Sequence, residues 1–304
     1  MKKLLYLCII LIACNQSNEP KTIGLEMPNV EQLEELEQLP NVSNSTTNEY
    51  VWLENYDINT ALINRIPVPK GYKRVEVTEN SFADWLRHLP LKPYDAKMLL
   101  FNGQPKPRQD VHVAIINIDV GDKDLQQCAD ATMRLKAEYH YSRKEYDKIH
   151  FNFTSGDNVR FDDWRFGRKP KVSGNSINFT PKITTANNSY SNFKKYMNMI
   201  FMYAGTYSMS QELKKVDVST IQAGDVFIIG GFPGHAMMVM DIAKNKDGKT
   251  IFLLSQSYMP AQNIHIVKNF NAESKTLGCW FSTDFSDVLN TPEFAFGRGD
   301  LKRW

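Results

Sequence analysis

The sequence predicts an α+β fold in which helices pack on an antiparallel sheet. Two observations carry this. Between residues 223 and 258, strand-length apolar runs alternate with breakers: Ala223-Gly224-Asp225, then Val226–Ile229, then Gly230, Gly231, Pro233 and Gly234, then 236–242, then a polar turn holding Asp247-Gly248, then 250–258. An Asp-Gly pair between two such runs favours a hairpin, so this stretch reads as an antiparallel meander. Two longer stretches, 122–139 and 188–207, instead repeat apolar residues at helical spacing. The chain has 304 residues, 42% of them hydrophobic. That is enough for a sizeable core in one large domain or two small ones.

At the N-terminus, Lys2 and Lys3 precede an apolar run over 4–12 that is too short to span a bilayer, which takes about 20 residues. The run ends in Leu11-Ile12-Ala13-Cys14 and resembles the lipobox of a bacterial lipoprotein. The resemblance implies a signal peptide over 1–13, cleavage before Cys14 and lipidation of its thiol. The protein would then sit in the bacterial cell envelope, anchored to a membrane by its lipid on a periplasmic or outer surface. Residues 14–50 are rich in Asn, Ser, Thr, Glu and Gln and read as a flexible tether.

From 51 to 304 the composition is that of one folded domain. Residues 66–72 form an extended entry. Ser81 is placed to cap a short helix whose Phe82, Trp85, Leu86 and Leu89 share a side, and Pro90 and Pro93 stop it. Strands are expected at 97–101 and 111–119, on either side of an Asn102-Gly103 turn. Asp122 opens a long helix carrying Leu125, Cys128, Ala129, Thr132, Leu135, Ala137 and Tyr139, although a regular start nearer Leu125 fits as well. Residues 151–182 are aromatic and irregular, a lid or a small subdomain. The second helix buries Phe193, Tyr196, Met197, Ile200, Phe201 and Ala204. Further strands are expected at 263–267 and 279–281.

The net charge of +2 implies no strong polyelectrolyte partner, so nucleic acid is not expected. No Walker-type or dinucleotide glycine pattern is present, and no His/Cys pair has zinc-site spacing, so neither cofactor nor metal is called for. Asp162-Asp163 has the residue type of a glycosidase carboxylate, but adjacent carboxylates point apart. Trp164 beside them is a candidate substrate-binding ring that would stack on a sugar, or else a packing residue.

Once a signal peptide is removed and Cys14 is lipidated, two cysteines remain, Cys128 and Cys279. They would form one disulfide, or one of them is a reactive thiol. Cys128 is the candidate nucleophile. A helix N-terminus lowers a thiol pKa, so its distance from the helix start decides how much the dipole helps. A buried structural thiol is an equal alternative. His235 follows a glycine-rich bend and opens a strand, which suits a base; His265 is a rival. Gln256 is the candidate to orient His235. A hairpin centred on Asp247-Gly248 pairs Val239 with Gln256 and puts Gln256 on the His235 face, whereas a shift of one residue would favour Ser255 and Ser257. Ser257 is a second candidate for substrate binding.

The run Gly224-Asp225-Val226-Phe227-Ile228-Ile229, a bend, Gly234-His235, an apolar strand and a return strand with polar residues at its end resembles the NlpC/P60 and CHAP groups of papain-like cysteine peptidases and amidases. The order Cys128, His235, Gln256 follows theirs. The resemblance implies a papain-like arrangement, an amide-cleaving hydrolase with those three residues as its catalytic set, and cell-wall peptide as substrate. A non-catalytic envelope lipoprotein binding peptide or glycan in the same cleft is the alternative. The domain also resembles a family of bacterial lipoproteins, the domain of unknown function numbered 4846, in Ile66-Pro67-Val68-Pro69, in Asp124 to Asp130 and in Ser255 to His265. That family brings no established activity.

Overall fold

The computed structural model describes residues 50–174 and 176–304. Contacts divide the chain into 1–46 and 47–304, and the fold is that of the second unit. The expected signal peptide, the lipidation site Cys14 and nearly all of the expected tether lie outside the described residues. No helix among the described residues is long and apolar enough to cross a membrane.

The alternating runs of the meander become the middle of a nine-stranded sheet. Its strands are β1 (Tyr72–Arg74), β2 (His112–Ile115), β3 (Lys214–Lys215), β4 (Val226–Ile229), β5 (His235–Asn245), β6 (Thr250–Gln256), β7 (His265–Val267), β8 (Phe281–Ser282) and β9 (Leu301–Arg303). The order is β2-β7-β6-β5-β4-β9-β3, with β1 on the far end of β5 and β8 on the start of β6, and every pairing is antiparallel. Gly248 takes the left-handed conformation that the Asp247-Gly248 turn requires, with φ of 79°.

Four helices matter for the site: α1 (Phe82–Arg87), α2 (Cys128–Ser142), α3 (Tyr190–Tyr203) and α4 (Thr206–Glu212). They lie on one face of the sheet, over a core that includes Val226, Ile228, Ala236, Met238, Met240, Ile251 and Leu253. The other face carries Phe227, Met237, Val239, Phe252, Leu254 and Phe281, closed over by Leu289 and Phe296 of the hairpin Val288–Asn290 and Ala295–Gly297. The result is an α+β fold, with helices packed on a large antiparallel sheet.

Several elements depart from expectation, each for a local reason. The helix expected from Asp122 begins at Cys128, because residues 124–127 are engaged by the 257–262 segment. Asp124 Oδ1 accepts the Ala261 N–H at 2.6 Å, and Ser257 Oγ lies 2.8 Å from the Gln126 carbonyl. Residues 97–101 make isolated bridges rather than a strand. The Gln109 amide takes both backbone groups of Met98, and Asn263 Oδ1 takes the Leu99 N–H. The helix expected over 188–207 breaks after Tyr203, whose carbonyl accepts the N–H and hydroxyl of Thr154. The 151–182 region is two small hairpins around a short helix, Phe161–Arg165, and its Phe151, Phe153, Val159 and Phe161 are buried in the helix-side core.

Candidate active site

The site starts with a register shift. Near the turn, β6 pairs with β5 as Thr250 with Lys244 and Leu253 with Asp241. Beyond it, Leu254 pairs with Val239, so Met240 has no partner on β6. This bulge moves the register by one residue. The turn-proximal register alone would set His235 and Gln256 on opposite faces. Past the bulge they share one face, although the expected pairing of Val239 with Gln256 is not the one formed. Gln256 pairs instead with His265 on β7.

The shared face brings His235 Nε2 to 2.7 Å from Gln256 Oε1. The imidazole is boxed by three rings, Phe294 at 4.9 Å, Tyr258 at 5.0 Å and Phe296 at 6.0 Å between centroids. Burial pushes the His235 pKa down to about 4, against a smaller opposing effect of Gln256. At neutral pH the ring is therefore neutral, with one N–H and one lone pair.

Cys128 is the first residue of the 15-residue helix α2, and Gln127 is its N-cap. The Gln127 N–H donates to Asp130 Oδ2 at 3.1 Å. The thiol is only partly exposed. Burial raises its pKa to about 11, and the Asp130 carboxyl adds to the rise; the N–H groups of Ala129, Ala236 and Cys128 itself, directed at the sulfur, act in the opposite sense. The helix terminus thus favours a thiolate, and burial outweighs it. Asp130 is itself buried, its carboxyl is held well above the usual range by that burial, and its Oδ1 has no hydrogen-bond partner among the described residues.

Helix α2, which Cys128 opens, packs on β5, the strand that His235 opens. Among the described residues no hydrogen bond joins the thiol directly to the imidazole. Cys128 and Cys279 are both free thiols, so the disulfide alternative is not realised.

The other candidates lie elsewhere. Trp164 is 4% exposed, in the core against Tyr196, with its indole N–H on Asn192 Oδ1 at 3.1 Å. A ring so enclosed cannot stack on a sugar, which corrects the substrate-binding reading of this residue and leaves the packing one. Ser257 is fully buried, and its hydroxyl sits 2.8 Å from the Gln126 carbonyl and 2.9 Å from that of Gln262. It fastens the approach to α2 and is out of reach of a substrate. His265 is buried behind Gln256, its pKa pushed down to about 3 by burial.

Sequence reasoning missed Glu293 and Lys106. Glu293 Oε2 accepts from Gln256 Nε2 at 2.9 Å, and Lys106 Nζ lies 2.6 and 2.7 Å from the two carboxylate oxygens. Neither sits in a motif, and they are far from each other and from Gln256 along the chain. Among the described residues no cluster of three or more His, Cys, Asp or Glu is arranged to hold a metal.

The family model described as Domain of unknown function (4846) matches residues 62–303. The chain belongs to this family. The match spans all nine strands and includes Cys128, His235, Gln256, Lys106 and Glu293. No curated protein and no solved structure matches the chain.

Proposed function

We propose that this DUF4846 domain is a cysteine hydrolase of papain-like arrangement that cleaves an amide bond, with cell-wall peptide as its substrate. One observation carries the reading: His235 Nε2 is engaged by Gln256 Oε1 at 2.7 Å while Cys128 stands at the first position of a long helix that packs on β5, the strand His235 opens. A nucleophile at a helix start, a base on a strand and an amide holding that base are the parts amide cleavage needs.

With the thiol pKa near 11 and the imidazole near 4, the resting pair is neutral. His235 therefore takes the thiol proton as sulfur attacks the carbonyl carbon, and the carbonyl π electrons move to oxygen. The Cys128 N–H at the helix terminus is the donor nearest to receive that oxyanion. Collapse of the intermediate breaks the C–N bond, and His235 gives its proton to the leaving amine. Water then attacks the thioester, losing its proton to His235, and the acid departs as the thiol is restored. The cell-wall assignment and the envelope location rest on the lipobox-like Leu11-Ile12-Ala13-Cys14, which attaches the domain to a membrane through lipidated Cys14.

The test is labelling by a peptidyl chloromethyl ketone compared with iodoacetamide. Expected is reaction of Cys128 with the peptidyl reagent at pH 7, lost in His235→Ala, while iodoacetamide labels slowly until the pH nears 11. Labelling by both reagents only after denaturation would overturn the proposal. Separately, Cys14→Ala is expected to release the protein from membranes, and undiminished retention in the membrane fraction refutes lipidation there. A second reading, a non-catalytic cleft that binds peptide, is favoured by the protonated resting thiol and by apolar side chains left in solvent close to the site in sequence: Phe232, 98% exposed, and Met259, 67% exposed.

A further inference from the structure

The proton positions around His235 follow from one charged residue at the far end of the network. Glu293 Oε2 lies 2.9 Å from the Gln256 amide. An ionised carboxylate only accepts hydrogen bonds, so the Gln256 atom facing it is the NH₂ group. The second N–H of that group points at His265 Nε2, 3.2 Å away. His265 Nδ1 lies 3.0 Å from the Asn263 carbonyl and must donate to it, which leaves Nε2 as an acceptor, in agreement. With both amide hydrogens used, Gln256 Oε1 faces His235 Nε2 and can only accept. His235 therefore carries its proton on Nε2, and Nδ1 holds the lone pair.

The anchor is well secured. Glu293 and Lys106 are each less than one-tenth exposed, and both carboxylate oxygens contact the ammonium. The Lys106 ammonium also lies 5.2 Å from the Tyr258 ring, one of the three that box His235. Rotating the Gln256 amide by 180° would set its oxygen against the carboxylate and against the lone pair of His265. Both contacts would be repulsive, between side chains that are each less than one-tenth exposed.

We propose that Glu293, neutralised by Lys106, is a positioning residue that locks His235 into the Nε2–H tautomer, so that Nδ1 is the base. This rests on the hydrolase reading for its chemistry but not for its test. In Cys128→Ser protein labelled with ¹⁵N-histidine, NMR at pH 7 is expected to show His235 protonated on Nε2 alone.

The double variant Lys106→Met/Glu293→Gln removes both charges together, so neither is left buried and unpaired. The amide introduced at position 293 both donates and accepts, which removes the stronger of the two contacts that oppose turning of the Gln256 amide and leaves only the 3.2 Å contact with His265. Expected are two His235 tautomers in place of one. With Cys128 restored, labelling by the peptidyl reagent is expected to slow at least tenfold at unchanged half-saturating concentration. A single Nε2–H tautomer in the double variant, or an Nδ1–H tautomer in the parent, overturns the proposal. Freed tautomers in a protein that never labels would uphold the positioning role and reject the hydrolase.

Discussion

Two buried charge clusters are built on β5 and β6, and they end differently. At the bulge, Asp241 Oδ2 accepts from Arg74 Nε at 2.6 Å, while Oδ1 accepts from Arg87 at 2.6 and 3.0 Å and from the Ile242 N–H at 2.9 Å. The two guanidiniums also donate to the Ile66 and Val75 carbonyls. This cluster is closed: it binds the entry segment, β1 and α1 to the sheet. At the other end of β5, the run from Lys106 through Glu293 and Gln256 stops at an imidazole whose second nitrogen has no hydrogen bond among the described residues. A saturated cluster holds the fold together, and one left with a free lone pair is equipped to move a proton.

Removing the centre of each cluster should separate these roles. Asp241→Ala leaves two guanidiniums without their counter-charge and is expected to cost about 3–5 kcal/mol in urea unfolding, without altering the His235 tautomer in the folded protein. An unchanged unfolding midpoint would break the comparison.

Acid should act on the open cluster. His235 and His265 have folded pKa values lowered to about 4 and about 3 from 6.5, so between pH 6.5 and 4 the unfolded chain binds more protons than the native one. Stability is therefore full above pH 6.5 and falls as pH drops, by about 1.4 kcal/mol per unit for each such histidine. Chemical unfolding at successive pH values measures the slope, and His265→Gln should reduce it by about one proton.

Gly234→Ala tests the bend that places His235. A Cβ there would lie 2.4 Å from the Gly231 carbonyl oxygen and from Thr206 Oγ1. The expected loss is about 1–3 kcal/mol in a thermal melt, with slower Cys128 labelling because the strand start must move. The smallest effect sharpens the contrast between the thiols. Cys279 is also free, and burial likewise lifts its pKa to about 11, but the charged group that acts on it is Arg74 rather than a histidine. Cys279→Ser should change stability by less than about 1 kcal/mol and leave labelling by the peptidyl reagent intact.

What the sequence made legible was local. Asp247-Gly248 marked the hairpin, the Gly/Pro bend marked the start of the His235 strand, and the helical repeat around Cys128 marked α2. The start of α2 was not legible, because Asp124 is engaged by Ala261 and Gln126 by Ser257, each across more than a hundred residues. Trp164 stood open between a sugar-stacking ring and a packing residue because its burial depends on α3, through Tyr196 and Asn192. Lys106 and Glu293 gave no periodic or motif signal at all; only the fold makes them neighbours of Gln256. The helix-side core was readable from spacing, whereas the polar network behind the imidazole was not.

The unmatched Met240 also constrains how this chain can change. Strand parity works as an address: excising that one residue would join the Leu253–Asp241 and Leu254–Val239 pairs into an unbroken ladder and leave His235 facing Phe294. A single-codon loss between His235 and Asp241 is thus taken up by the bulge, whereas a single-codon gain there would turn every upstream side chain to the other face unless a second bulge formed. Insertions should therefore be tolerated in the Asn245–Lys249 turn far more readily than in the strand leading to it.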